Sequence, residues 1–479
     1  MKITRYISIF LCICVISSLF LIPVSAETQS AEPAQTAPAA TVTNGCHTAD
    51  AMVSLLGTEQ IVSNMKSSFV YEMNSDTLLY SWNADAPTEP ASFVKIMTAL
   101  VAIENGDLDE AVTVNAALFT GLPIDAVMIG LKDEEVFSLR DLLYCLLVSS
   151  ANDAALVISD HISGSQDAFV ALMNQNAEKI GCTRTVFKNS TGLWQEGQVT
   201  TARDIGKILA YAMKNPDFAE IFCSIYYTIS ETNKSGKRYL ESQNYLMNTR
   251  ENQIYFNEYV TGGRTAVTND LQRGLAATSE ANGMKIISIV MGCESTFSET
   301  GLTLAVGGYR ETNALLDACY NKYRYSQILF DGQVISQHKV TNGANDVCLG
   351  THDNVSAVLP INFTLDQLTF QYSDTPDGQQ APIKRGQLIS NATIWYGSIC
   401  LAETELYALN HVSVANEMVD ADTEIQFNWW ILLLPFVGLI VLFVIVICII
   451  RFVNYRKASK AKKRTKRYQA NRRRSRPDV

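Results

Sequence analysis

Three pairs of residues in this chain carry side chains of the kind that acyl transfer needs. Ser92 and Lys95, in "EPASFVKIMTAL" (89–100), fall one helical turn apart on one face. Ser150 and Asn152 lie in "LLVSSANDAALVIS" (146–159), and Arg264 and Thr265 in "YVTGGRTAVTND" (259–270). A serine hydroxyl is a weak nucleophile at neutral pH and needs a base beside it. A lysine desolvated in an apolar helix can be that base, because burial disfavours its charged form. A cation beside a hydroxyl suits a carboxylate. None of these spacings is specific alone. Ser63–Lys66, Ser336–Lys339 and Ser459–Lys462 repeat the first, and Ser242–Asn244 repeats the second. The plain alternative for Lys95 is a lysine snorkelling from an ordinary helix. Context sets Ser92–Lys95 apart: an apolar helix start directly after a hairpin pattern.

The elements that must position these residues can be read along the chain. "SSFVYEMNSDTLLYSWNADAP" (67–87) predicts two strands joined at Asn74-Ser75-Asp76, followed by a helix from near Ser92. Residues 138–162 predict two helices broken near Ser149–Asn152. "TTARDIGKILAYAMKNPDFAEIF" (200–222) predicts one helix with a threonine cap. "RGLAATSEA" (273–281) and "MKIISIVMGCE" (284–294) predict a hairpin, and 312–323 a closing helix. From about 326 the texture changes to short alternating segments with frequent turn residues, a small all-β domain over 326–413.

The two ends differ from the middle. Residues 1–26 have a basic start, an apolar stretch and a Val24-Ser25-Ala26 site, the pattern of a secretory signal peptide. Residues 27–45 read as a disordered spacer and 46–325 as the main folded domain. Residues 414–428 read as a juxtamembrane linker. Residues 429–450 contain no charge and are long enough to cross a bilayer. Trp429 and Trp430 suit the outer interface, and the basic tail 451–479 the cytoplasmic side, as a stop-transfer signal. The expectation is a single-pass membrane protein with its folded part outside. Residues 27–450 hold 23 basic and 47 acidic residues, so no nucleic-acid partner is expected for them. Eight of eleven cysteines fall in the outer part, without metal-type spacing. They permit disulfides of unreadable connectivity, or buried thiols.

Taken together, the outer region resembles the serine-type D-alanyl-D-alanine carboxypeptidases of the peptidase S11 family, the low-molecular-mass penicillin-binding proteins. "PASFVKIMTAL", "SANDAA" and "GGRTA" stand in the order of that family's three motifs. "FKNSTGL" with "VTTARDIGKILAYAMKNPDF" (187–218) is similar to the segment between its second and third motifs. "APIKRGQLISNATIW" (381–395) is similar to its C-terminal β domain. The resemblance covers about residues 60–413. It implies an α/β (α+β) transpeptidase fold of the penicillin-binding and β-lactamase type, with an antiparallel sheet flanked by helices and a small β domain behind it. It also implies roles. Ser92 is the nucleophile, Lys95 its base, and Ser150 a proton relay. Asn152, Arg264 and Thr265 hold substrate, and the N–H groups of Ser92 and Val267 form the oxyanion hole. Peptidoglycan stem peptides ending in D-Ala-D-Ala are the implied substrate and β-lactams the implied inhibitors. No metal, nucleotide or other cofactor is expected.

Three departures from the family pattern bear on turnover. Arg264-Thr265-Ala266 stands where Lys-Thr-Gly is usual, and Gln198 where a histidine is common. Arginine keeps the charge, but its planar fork is not interchangeable with an ammonium. Three other readings compete with the carboxypeptidase: a weakly catalytic muropeptide- or penicillin-binding sensor or scaffold, a β-lactamase and a D,D-endopeptidase. A β-lactamase needs a deacylating carboxylate that no segment supplies. The five histidines fall in neither G-x-S-x-G nor H-E-x-x-H company.

Overall fold

The computed structural model describes residues 54–57, 59–250, 253–297, 303–415 and 437–456. The signal peptide, the spacer, Trp429, Trp430 and the tail beyond 456 lie outside the described residues. The core of the first domain is a five-stranded antiparallel sheet in the order β2-β1-β5-β4-β3. Its strands are β1 (Ser67–Glu72), β2 (Thr77–Trp82), β3 (Val260–Val267), β4 (Arg273–Ala281) and β5 (Met284–Cys293). The β1–β2 hairpin turns at Asn74-Ser75-Asp76 as the sequence predicts. Asp76 takes a left-handed φ of 52°, which aspartate tolerates better than most residues. Buried Glu72 accepts hydrogen bonds from Ser75 N (2.8 Å), Ser75 Oγ (2.6 Å) and Lys285 N (2.9 Å), fastening this turn to β5.

Alternate residues of β1 enter different cores, as a strand covered on both faces requires. Phe69 joins one apolar cluster and Val70 the other. The larger cluster is helical. It contains α1 (Val94–Asn105), α2 (Leu139–Val148), α3 (Asn152–Ser163), α4 (Gln166–Ile180), α5 (Ala202–Ala212) and α6 (Pro216–Phe222). Helix α1 is buried from Val94 to Ala102, with Lys95 and Thr98 the two polar side chains in that stretch, so it lies inside the core. The smaller cluster holds α7 (Tyr309–Tyr320) against β4 and β5.

The single helix expected over 200–222 is two. Asn215 accepts hydrogen bonds from Asp217 N and Phe218 N and caps α6, whose first residue is Pro216. Proline is favourable at a first helical position, where its missing N–H is not needed, and unfavourable in a helix interior. The helix expected at 312–323 lies at Tyr309–Tyr320, and a strand already begins at Tyr323.

That strand, β6 (Tyr323–Leu329), opens the second domain and pairs with β9 (Val355–Pro360). A second sheet runs β7 (Val334–His338), β8 (Val347–Gly350), β12 (Ile399–Ala408), β11 (Leu388–Tyr396), β10 (Leu368–Tyr372). It is all-β and packs its own two apolar clusters. Val437–Arg456 is a separate 20-residue helix, long and apolar enough to cross a membrane. Four of the expected cysteines, Cys145, Cys182, Cys293 and Cys319, are buried free thiols.

Candidate active site

Ser92 sits in a 3-10 turn, Ala91–Phe93, that runs straight into α1. The turn is held in an uncommon shape, with Ala91 at φ +45°. A non-glycine residue pays roughly 1–2 kcal/mol for such a conformation, so the surroundings must enforce it. They do so by close backbone packing. Gly192 (φ +79°) presses against the Ala91 carbonyl, and a Cβ there would collide with that oxygen. On the other side Gly274 has the Phe93 ring within 2.9 Å of where its Cβ would be. The edge strand β3 lies along this turn.

Lys95, the next turn of α1, is 1% exposed. Its Nζ donates to Asn152 Oδ1 (2.9 Å) and to the Thr191 carbonyl. Burial, and then the nearby Arg264 charge, hold the amine well below the ordinary lysine range. A neutral amine has two N–H groups and one lone pair, so these two acceptors fix where the lone pair points. Lys95 is therefore a buried, oriented amine and not a snorkelling surface lysine.

Ser150 lies in the break between α2 and α3, at φ +63°. Its Oγ is 3.4 Å from Ser92 Oγ. Asn152, the first residue of α3, turns Oδ1 to Lys95 and Nδ2 to the Val127 carbonyl (3.1 Å). The break expected near Ser149–Asn152 thus places the second serine beside the first.

Arg264 comes from β3 and is 4% exposed. Its Nη1 donates to the Leu147 carbonyl in the last turn of α2, where helix carbonyls lack helical partners. Its Nε and Nη2 are buried without a hydrogen-bond partner. Burial pushes the guanidinium down to about 9, still charged at neutral pH. Thr265 is partly exposed, and Val267, at the end of the strand, is 43% exposed. Ala266 is buried opposite Gly274 in the register, so this pair carries one methyl group between them beside Phe93.

Seven predicted residues thus fall in three neighbouring places: the turn before α1 with the first turn of that helix, the α2–α3 break with the start of α3, and strand β3. Sequence reasoning missed the acceptors, because Thr191 and Leu147 act through backbone carbonyls that any residue type supplies. It also missed Gly192 and Asn189, whose Oδ1 holds Gly192 N (2.7 Å) in place. "FKNSTGL" signalled them only as a family-like string. Gln198 is a brace: its Oε1 accepts from Lys188 N (3.1 Å) and its Nε2 donates to the Leu193 carbonyl (3.1 Å). It supports the loop that presents the Thr191 carbonyl. Among the described residues no cluster of His, Cys, Asp and Glu could hold a metal ion.

Residues 57–295 match the profile of the D-alanyl-D-alanine carboxypeptidases, peptidase S11, and residues 323–414 that of the C-terminal domain of penicillin-binding protein 5. The chain is 26% identical over 358 residues to the D-alanyl-D-alanine carboxypeptidase DacF of Bacillus subtilis, spanning 73% of this chain and 86% of that protein. It is 28% identical over 352 residues to DacC of Escherichia coli, spanning 71% and 82%. Among solved structures, penicillin-binding protein 5 from Haemophilus influenzae matches with a TM-score of 0.57 at 26% identity, over 74% of this chain and 100% of that one.

Proposed function

The chain belongs to the peptidase S11 family of serine D-alanyl-D-alanine carboxypeptidases, and from that membership we propose that it is a membrane-anchored enzyme that removes the terminal D-alanine from peptidoglycan stem pentapeptides. The observation that carries this reading is the meeting of Ser92 and Ser150, Oγ to Oγ at 3.4 Å, beside a buried amine oriented by two acceptors.

In this mechanism Ser92 Oγ attacks the carbonyl carbon of the penultimate D-alanine while Lys95 takes its proton. The N–H groups of Ser92 and Val267 receive the oxyanion. Collapse breaks the peptide bond, and the leaving D-alanine amine takes a proton through Ser150. Water then releases the trimmed peptide and restores Ser92. Asn152 supports the substrate amide, and Arg264 with Thr265 receives the terminal carboxylate. The two unpartnered nitrogens of Arg264, Nε and Nη2, favour that assignment, since a carboxylate would remove a deficit of roughly 1–3 kcal/mol per buried donor. A β-lactam acylates Ser92 by the same steps. The helix Val437–Arg456 anchors the domain, with the folded part outside the bacterial membrane and the tail inside.

One observation favours a second reading. The guanidinium is almost sealed from solvent, so a carboxylate reaches it only if β3 and the α2–α3 break part. A site that acylates but turns over slowly would act as a penicillin- or muropeptide-binding sensor. The test incubates the protein with a stem pentapeptide ending in D-Ala-D-Ala and follows free D-alanine and peptide mass, with Ser92→Ala as control. Loss of one D-alanine, absent from the control, supports the carboxypeptidase. Penicillin labelling of Ser92 without released D-alanine supports the sensor. Neither labelling nor release, from folded protein, removes both.

A further inference from the structure

Residues 121–131 form neither helix nor strand, yet they lie against the second motif. An irregular segment must still find partners for its backbone polar groups. Here they come from two consecutive residues. Asn152 donates to the Val127 carbonyl from its backbone N (2.8 Å) and from Nδ2 (3.1 Å). Asp153 accepts from three successive backbone groups: Ile129 N (3.3 Å) on Oδ1, and Gly130 N (3.0 Å) and Leu131 N (3.1 Å) on Oδ2. Its Oδ1 also accepts from Ala154 N (3.0 Å), in the first turn of α3. Asp153 is 1% exposed, and backbone N–H dipoles and the helix N-terminus supply the positive field around it.

These bonds link up in series. The loop holds Asn152 by its Nδ2, Asn152 Oδ1 holds Lys95 Nζ, and Lys95 holds the Thr191 carbonyl. The orientation of the Asn152 amide is fixed from both ends. If the loop swings away, Nδ2 loses its acceptor and the amide is free to rotate. Lys95 then loses one of the two acceptors that direct its lone pair.

We propose that Asp153 is a positioning residue for the acyl-transfer reaction: its carboxylate fastens residues 129–131 to the second motif, and through Asn152 sets the orientation of Lys95. The proposal rests on the carboxypeptidase reading above. Asp153 touches neither substrate nor Ser92 in this scheme. The spacing Ser150-x-Asn152-Asp153 gives neighbouring residues distinct tasks, one set by a hydroxyl, one by an amide and one by a carboxylate.

The test is Asp153→Asn, which keeps the shape but puts a donor where an acceptor is needed. Backbone hydrogen exchange at 129–131 is read beside kcat, KM and the pH profile for pentapeptide, and beside the rate of penicillin acylation. The expected result is exchange at least about tenfold faster at 129–131 with the rest of the domain unchanged. With it, kcat and the acylation rate fall about tenfold, KM stays within about threefold, and the acidic limb of the profile moves. Asp141→Asn is the control: the Asp141 carboxylate, in the first turn of α2, accepts from Ser138 Oγ (2.8 Å) and Tyr227 Oη (2.8 Å), so it tests general loosening and leaves the limb in place. If Asp153→Asn does not fold, Gly130→Ala takes over. Gly130 has φ +75° and open space around its Cβ position, so alanine strains the loop without touching Asp153. It should give the same signature, smaller. Faster loop exchange with unchanged kcat and limb overturns the proposal, and so does unchanged exchange. A wild-type protein that takes penicillin but releases no D-alanine defeats the turnover reading alone, because the acylation and exchange arms still report on Asp153.

Discussion

The two walls of the site are built to different standards of polar satisfaction. On the wall of α1 and α3, Lys95 and Asn152 are buried and each has its polar atoms matched by named acceptors and donors. On the β3 wall, Arg264 is equally buried but leaves Nε and Nη2 without partners. A buried charge without partners is costly, so such a group persists where it has a task that the resting protein does not complete. In the proposed mechanism the first wall is organised before substrate arrives and the second is the part that substrate completes.

The largest break in this comparison comes from the preorganised wall. Ser92→Ala should abolish penicillin labelling and D-alanine release. Lys95→Ala should lower acylation by about 10²- to 10⁴-fold, the range of a lost general base. Stopped-flow acylation reads both, and normal labelling of Lys95→Ala would remove that residue from its role.

Gly192→Ala comes next. It forces a left-handed backbone on a residue with a Cβ and drives that atom into the Ala91 carbonyl. Displacing the nucleophile's turn should cost about 100-fold in acylation. Wild-type rates for this variant would show that the contact yields without consequence.

Arg264→Gln sharpens the other side. Losing a charged hydrogen-bonding partner for carboxylate should cost about 10- to 100-fold in kcat/KM for the pentapeptide. The sign of its pH effect is also fixed. Burial and Arg264 both hold Lys95 below its ordinary value, and the proposed mechanism draws on its neutral amine for acylation. Activity therefore rises with pH through the folded pKa of Lys95. Removing the Arg264 charge raises that pKa and moves the acidic limb to higher pH. An unmoved limb would mean that the two groups do not communicate. Folding carries the same sign, because between the lowered folded value and the ordinary one unfolded Lys95 binds more protons than folded Lys95. Its contribution to stability grows as pH rises toward the unfolded value.

The smallest expected effect lies away from both walls. Asn215→Ala removes the cap of α6 and should cost about 1 kcal/mol in denaturant unfolding, with kcat unchanged. A change in kcat would tie α6 to the site.

The architecture was legible where local pattern and tertiary demand agree. The β1–β2 hairpin, the Ser149–Asn152 break and the β4–β5 hairpin follow from turn residues and apolar runs in the sequence. The break at Asn215-Pro216 was carried by a capping residue and a proline, yet the apolar periodicity continues across it and suggested one helix. The site was legible in its side chains and illegible in its backbone. Ser92, Lys95, Ser150 and Asn152 are marked by residue type, by their place at helix starts and by the family-like order of their motifs, since their spacings recur elsewhere in the chain. Thr191 and Leu147 contribute carbonyls that leave no mark on composition, and Gly192 matters through an atom it lacks.

The sequence by itself determined which groups are available: a serine and an amine on one helical turn, a second serine at a helix break, and a guanidinium on a late strand. It also determined an apolar segment long enough to span a bilayer. Only the tertiary structure decided how those groups are charged and aimed. Desolvation depends on everything packed around an atom, and hydrogen-bond direction depends on acceptors that lie 57 residues away at Asn152 and 96 at Thr191. Local spacing cannot encode either quantity, so the lowered basicity of Lys95 and the unfinished pairing of Arg264 emerge only when the strands and helices close around them.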